Sequence, residues 1–492
     1  MPITPGKTSI AKGAFITISM RWIDRVIGLA STLILARLLH PEDFGIIAMA
    51  SLVIGLVDVL FDLGVNVALI QNPNATQEHY NTAWTLRILQ TLCTASVIVL
   101  GAPFAGDYFG DQRVVPVIQF MAIGLVVNGL ENIGVVSFQK NMQFGRDFRF
   151  LFLKRITGFV VTVAAALAIQ SYWALVVGAL AGRVMGVILS YLMHPMRPRL
   201  SLAKFREIFA VSQWMLVRSV GAYLDNNLHR MFVGRISGTA TMGAYTLADE
   251  ISAMPSSELL APINRVLFPA FAQARENAPE LKRLLLLAQG VQTLIGVPAA
   301  IGLALVAHEA IAILLGEKWL MTVPFVQLLA LTHAAQAITT STGYALITIG
   351  HARRSAALVW AKVAIFCTGI FLLMPELDAI QIAQVRLATG VITVILALWL
   401  IINAMNNLHV RDILATIARP FAGALVMSVT LLLLFEGSTW PLIWTLTIKI
   451  IVGVIIYSTT VLLLWLIQGK PVGAESYALQ KINLLITLKT KK

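Results

Sequence analysis

Three charges interrupt an apolar run near the start of the chain. They are Arg21, Asp24 and Arg25 in "SMRWIDRVIGL" (19–29), between "AKGAFIT" and "ASTLILA". The spacing i, i+3, i+4 places all three on one helix face. Two guanidiniums against one carboxylate leave that face net positive, and the planar arginine fork grips phosphate oxygens in pairs. The chemistry on offer is reversible anion binding. The competing reading is mutual neutralisation, with Asp24 only balancing its neighbours, but one arginine then still lacks a counter-charge.

A second set stands in "VRSVGAYLDNNLHRMFVGR" (217–235): Arg218, Asp225, Asn226, His229 and Arg230, with Asp225–His229 and Asn226–Arg230 each i, i+4 apart. The polar company of Gln213, Tyr223, Asn227 and Tyr245 suits a hydroxyl-rich sugar. Asp58 and Asp62, also i, i+4, read either as partners for Arg25 or as protonatable coupling sites. Asp249, Glu250, Glu258 and Arg265 follow in another apolar stretch that carries Pro255 and Pro262, where a bend is expected. Asp249–Glu250 are candidates for a coupling ion, and Arg265 joins the substrate-binding candidates. Arg87, Glu131, Arg183, Lys362, Arg386 and Lys449 are scattered singly and read as anchors, with Lys449 snorkelling to an interface. A charge at the bilayer centre costs roughly 2.5–3.5 kcal/mol on insertion scales, so this many must face a wet cavity or each other.

The elements that hold these residues follow from composition. Of 492 residues 58% are hydrophobic and 12% charged, and the mean hydropathy is +0.81. Apolar runs long enough to cross ~30 Å of hydrocarbon recur throughout. This is an all-α polytopic membrane protein, not a β-barrel. Fourteen spans are expected: 12–38, 43–70, 81–104, 114–137, 149–169, 171–194, 210–234, 238–268, 284–307, 320–349, 354–374, 377–404, 413–435 and 442–468. They are called spans 1 to 14 below. The N-terminus runs into span 1 without a cleavage site, so no signal peptide is expected. The formal charge of +13 fits cytoplasmic loops against anionic lipid better than nucleic acid. Eighteen loop cations fall on the side of the N-terminus and two, Arg113 and Lys318, on the other. Both termini are therefore expected in the cytoplasm, in a cell inner membrane. The tail "ALQKINLLITLKTKK" reads as an amphipathic helix on the inner leaflet. Cys93 and Cys367 lie within apolar runs and read as packing residues. No metal-ligand cluster, phosphate-binding glycine loop or nucleophile elbow is present in the sequence, so neither cofactor nor metal is expected.

A shift of 198 residues lays "LARLLHPEDFGIIAMA" (35–50) on "VGRISGTATMGAYTLA" (233–248), matching Arg37 to Arg235, Gly45 to Gly243 and Ala50 to Ala248. Six spans separate the copies, which predicts a parallel repeat about an axis normal to the membrane, with substrate between the halves. The expected domains are a six-helix lobe over 1–194, a cytoplasmic linker over 195–209 that carries most of "HPMRPRLSLAKFR" (194–206), a second six-helix lobe over 210–408, and spans 13–14 with a basic tail over 409–492.

"LARLLHPEDFGIIAMA", with "GVNVALIQ", "QKNMQFGRDF" (139–148), "INRVLFPAFAQ" (263–273) and "LLGEKW" (314–319), resembles the bacterial polysaccharide flippases of the multidrug/oligosaccharidyl-lipid/polysaccharide exporter superfamily. The subgroup is that of the colanic acid exporter, and the resemblance covers nearly the whole chain. It implies a central cationic cavity, alternating access and no enzymatic step. The implied cargo is an undecaprenyl-diphosphate-linked oligosaccharide, with membrane lipids and a coupling ion (H⁺ or Na⁺) as other partners. Spans 13 and 14 would be additions to a twelve-helix core. By helix, Arg21, Arg25, Arg218 and Arg230 match the family's cavity arginines, while Asp249–Glu250 depart from its pattern. The rival readings are a lipid II flippase and a cation-coupled multidrug exporter, whose cavity should be acid-rich. A polymerase or ligase would need a larger outer loop than 105–113 or 308–319 provides.

Overall fold

The computed structural model describes Ile23 and residues 25–209, 213–374, 376–437, 440–477 and 479–480, without the side chains at 209, 213–218, 261, 262 and 265. Every regular element among the described residues is helical. Ten of these helices are long and apolar enough to cross a membrane, and Val114–Gly129 with Ile133–Lys140, meeting at 68°, make an eleventh if they form one span. The chain is a multi-pass helical membrane protein. The reason is the bilayer's lack of hydrogen-bonding partners: backbone groups must be satisfied within each segment, and helices do that.

Local sequence sets the helix ends. Span 2 starts at Pro41, whose missing N–H is harmless in the first turn, and Asp43 accepts from the His40 amide at 2.9 Å. It stops at Phe61; Gly64 then takes φ 59° and a short helix, Val65–Gln71, follows. Span 3 runs Gln77–Phe109 and closes on Gly110 at φ 69°. Span 8 is interrupted at its prolines as expected. Gly238–Met254 passes into a π-helical turn, Pro255–Leu259, before Ala261–Gln273 resumes. Such π turns recur at functional positions.

Two compact units form, Met1–Gly243 and Ala244–Lys492. In the first, span 5 (Phe144–Ile169) pairs with span 6 (Trp173–Met193), and span 3 with span 4. Span 7, Gln213–Ile236, packs on span 2, where the Tyr223 ring fills the space over Gly55 and its hydroxyl donates to the Leu52 carbonyl at 2.6 Å. That packing carries the unit past the linker to Gly243. In the second unit, span 9 (Ala278–Leu305) and span 10 (Val323–Thr348) pack together at the centre, span 12 (Ala379–Ile402) lies on span 10, and span 13 (Val410–Phe435) on span 9. Span 14, Leu442–Ile467, has only 11% of its most apolar window buried and presents the rest to lipid.

The repeated segments meet. A Cβ on Gly45 would collide with the Thr239 carbonyl, and a Cβ on Gly243 with the Pro41 carbonyl. Positions 41 and 45 correspond to 239 and 243 under the 198-residue shift, so the contact is reciprocal, the mark of a local two-fold.

Candidate functional site

Of the span 1 face, Arg21 and Asp24 lie outside the described residues, as does most of the C-terminal tail. Arg25 is half-buried in the helix. Three residues on, Gly28 leaves room for a side chain that the sequence reading passed over: the Nη2 atom of Arg155, from span 5, lies 2.9 Å from where a Gly28 Cβ would stand. Two cations therefore converge on one stretch of span 1. A glycine inside an apolar helix is the only sequence signal for such an approach.

Span 7 divides by face. Asn226 is exposed and its amide donates to the Ala222 carbonyl at 2.8 Å; Asp225 and Arg230 are half-buried. His229 is 2% exposed, and its Nε2 donates to the Asn226 carbonyl at 3.0 Å. Arg218 and Arg265 sit on their helices, with side chains outside the description. Tyr223 and Tyr245 are not sugar ligands in this arrangement. Tyr223 is committed to span 2, and Tyr245 is fully buried edge-on to Phe325, with ring centroids 5.3 Å apart.

The carboxylates also separate. Asp62 is not on the helical face of Asp58: it lies beyond Phe61, where it accepts from the Gly64 amide at 2.9 Å. Asp58 stands in the electrostatic field of Arg183 and Arg87. Asp249 and Glu250 are not one cluster. Successive helical residues point about 100° apart, so Asp249 faces span 10, with its Oδ1 3.5 Å from His333 Nε2, while Glu250 is exposed.

The singly scattered charges are mostly paired. Glu131, 5% exposed, accepts from Lys154 at 2.9 Å and lies 3.9 Å from Arg87. Lys449 does not snorkel; its Nζ donates to Glu309 at 2.5 Å. Arg183 donates to the Met121 carbonyl at 3.0 Å through space left by Gly124. Arg419 on span 13 holds Glu475 through two bonds of 2.6 and 3.0 Å, a bidentate pair closing over the segment after span 14. Cys93 and Cys367 are exposed on their helices rather than packed inside, because each falls on an outward face.

The linker is strapped to the cytoplasmic end of span 3. Amides of Arg199, Ser201 and Lys204 donate to Asn81, Thr85 and Thr82 at 3.1, 2.9 and 3.2 Å. The Thr76 amide donates to His79 Nδ1 at 3.1 Å, which puts the ring proton on Nε2, and that nitrogen donates to Glu207 at 2.9 Å. Lys204 first, and His79 second, hold the Glu207 carboxyl below its ordinary range.

The model of a family described as polysaccharide biosynthesis protein matches residues 34–324. The lipopolysaccharide biosynthesis protein WzxC of Escherichia coli (strain K12) is 25% identical over 84% of this chain and 85% of its own. The succinoglycan biosynthesis transport protein ExoT of Rhizobium meliloti (strain 1021) is 22% identical over 87% of this chain and 88% of its own. Among solved structures, the lipid II flippase MurJ in an inward closed conformation superposes with a TM-score of 0.76 over 92% of this chain and 99% of its own, at 12% identity. That likeness is one of fold.

Proposed function

Because the chain belongs to the family of polysaccharide biosynthesis proteins, we propose that it is a flippase. It carries undecaprenyl-diphosphate-linked oligosaccharide repeat units from the inner to the outer face of the cytoplasmic membrane, for exopolysaccharide or O-antigen assembly. The observation that carries this reading is the cationic stretch of span 1, where Arg25 and Arg155 approach one helix from two elements. By helical spacing Arg21 and Asp24 extend the same face, and Arg218 and Arg230 supply the matching cations of span 7. Asn226, exposed beside them, suits sugar hydroxyls. Relatives named for lipopolysaccharide and succinoglycan biosynthesis support a polymer precursor as cargo.

The working architecture has fourteen helices, two six-helix lobes and alternating access through a cationic cavity, with both termini cytoplasmic. The reciprocal contact of Gly45 and Gly243 supports the two-fold, and the nine-to-one bias of loop cations supports the orientation. Asp58 and Asp249 remain the coupling candidates.

Polymer output from a deletion host that carries variants at matched membrane abundance tests the reading. One charge-assisted contact is worth roughly 1.5–3 kcal/mol, so Arg25→Ala is expected to weaken cargo binding about ten- to hundredfold. Arg25→Lys restores part of the output, because lysine keeps the charge but loses the fork. Normal export by Arg25→Ala and Arg155→Ala, singly and together, would sink the proposal.

A further inference from the structure

Span 10 brings in a histidine that the anion-binding face does not use. His333 is largely buried, and its two ring nitrogens meet different groups. Nδ1 lies 3.2 Å from Gln336 Oε1, one turn along the same helix. A carbonyl oxygen only accepts, so Nδ1 carries a proton. Nε2 is buried without a hydrogen-bond partner, 3.5 Å from Oδ1 of Asp249 on span 8, with both side chains about equally enclosed at 14% and 13% exposure.

That geometry fixes a proton count. With Nδ1 protonated, a neutral ring turns a lone pair toward Asp249. An ionised carboxylate facing that lone pair in a low-dielectric interior is repulsive. One proton between them removes the conflict, either as carboxyl O–H facing Nε2 or as imidazolium facing carboxylate. The two groups titrate as a pair.

The surroundings provide a route. Gln336 also lines a small polar cavity with Thr332, Thr389, Lys362 and Arg386. The Thr332 and Thr389 hydroxyls donate to the Leu328 and Val385 carbonyls of their own helices. What they turn into the cavity is therefore acceptor lone pairs, which suit water as a proton carrier. The charged side chains on elements packed against span 10 are Glu258 and Asp249 on span 8, Lys362 on span 11 and Arg386 on span 12, while span 9 presents the neutral Gln289 and Gln292. At the outer end Ala307–Leu314 and Glu317–Thr322 carry His308, Glu309 (paired with Lys449), Glu317 and Lys318. The cations on spans 11 and 12 make a second stored proton unfavourable, which limits the pair to one.

We propose that Asp249 and His333 form the proton-binding site that drives this transporter, with Gln336 as the residue that sets the imidazole tautomer. The inference rests on the flippase reading and names its coupling ion. One proton enters the pair from the outer side as cargo leaves and is released to the cytoplasm on the return, with only O–H and N–H bonds made and broken. Asp249 lies one turn before the π turn of span 8, so its changing attraction to span 10 acts on the helix that is already interrupted.

Inverted membrane vesicles of the host, which contain the chain's own lipid-linked repeat units, test this. Cargo on the lumenal leaflet is scored by protection from external periodate, with vesicles loaded to a lumen about one pH unit more acid than the bath. One coupled proton shifts the equilibrium distribution about tenfold per pH unit. The wild type is expected to show that shift, and His333→Gln and Asp249→Asn, at matched abundance, to show none. Either variant responding like the wild type overturns the proposal, as does a wild type that redistributes cargo without regard to the gradient. Vesicles in which the wild type moves no cargo under any condition would instead overturn the flippase reading and, with it, this inference.

Discussion

Glu131 shows how much one residue depends on what packing brings to it. In sequence it is a lone acid in an apolar run; in the fold it is buried against Lys154, with Arg87 close by. Removing one partner of a buried pair leaves an uncompensated charge, which costs about 3–5 kcal/mol, whereas replacing both by apolar groups is often neutral. Glu131→Gln is therefore expected to lower the thermal midpoint of the purified protein markedly, and Glu131→Gln with Lys154→Met to recover most of the loss. Equal destabilisation by the single and the double variant would mean that the pair is not what holds these helices. The same reasoning separates this cluster from the span 1 face, where neutralising an arginine should affect cargo before stability.

At the scale of elements, the approach of span 2 to span 8 depends on two glycines. The collisions that a Cβ would make at Gly45 and Gly243 are with backbone carbonyls, so no side-chain rotation relieves them. Gly45→Val and Gly243→Val are each expected to reduce the yield of monodisperse protein severely, by similar amounts because the contact is reciprocal. Gly302→Ala, in a helix with open space around the new methyl, should be neutral or stabilising by up to ~1 kcal/mol. Size-exclusion profiles after solubilisation give the readout. If Gly45→Val behaves like Gly302→Ala, the two helices do not approach as closely as described. The strap of 199–207 along span 3 is a second device of this scale, and it joins the linker to the first unit rather than leaving it a loose tether.

At the scale of the whole molecule, the charge asymmetry of the loops is the quantity to test. Reporter fusions at Gly469 and Gly316 are expected to report cytoplasm and periplasm respectively, because eighteen loop cations against two fix the overall orientation. A periplasmic signal at Gly469 would refute an even number of spans with both ends inside. The ten to eleven helices that are apolar enough to cross by themselves leave out span 7 and span 8, whose charges dilute their hydropathy. Those are the helices that carry most of the candidate site, consistent with local rules failing where function sits.

The sequence by itself determined the class of protein, the position of most helices and the family. Hydropathy, helix punctuation and short motifs are properties of adjacent residues, and they survive without knowledge of neighbours in space. It also marked Gly45 with Gly243, and Asp249, as positions worth attention. Tertiary structure alone decided which charges meet. Lys449 and Glu309 are 140 positions apart, Arg155 reaches span 1 from span 5, and Asp249 finds a histidine on span 10. Reading Tyr223 and Tyr245 as sugar ligands, Lys449 as snorkelling and Cys93 and Cys367 as core failed for one reason. Helical periodicity says which residues share a face, but only the packing of one helix on another says whether that face meets protein, lipid or water.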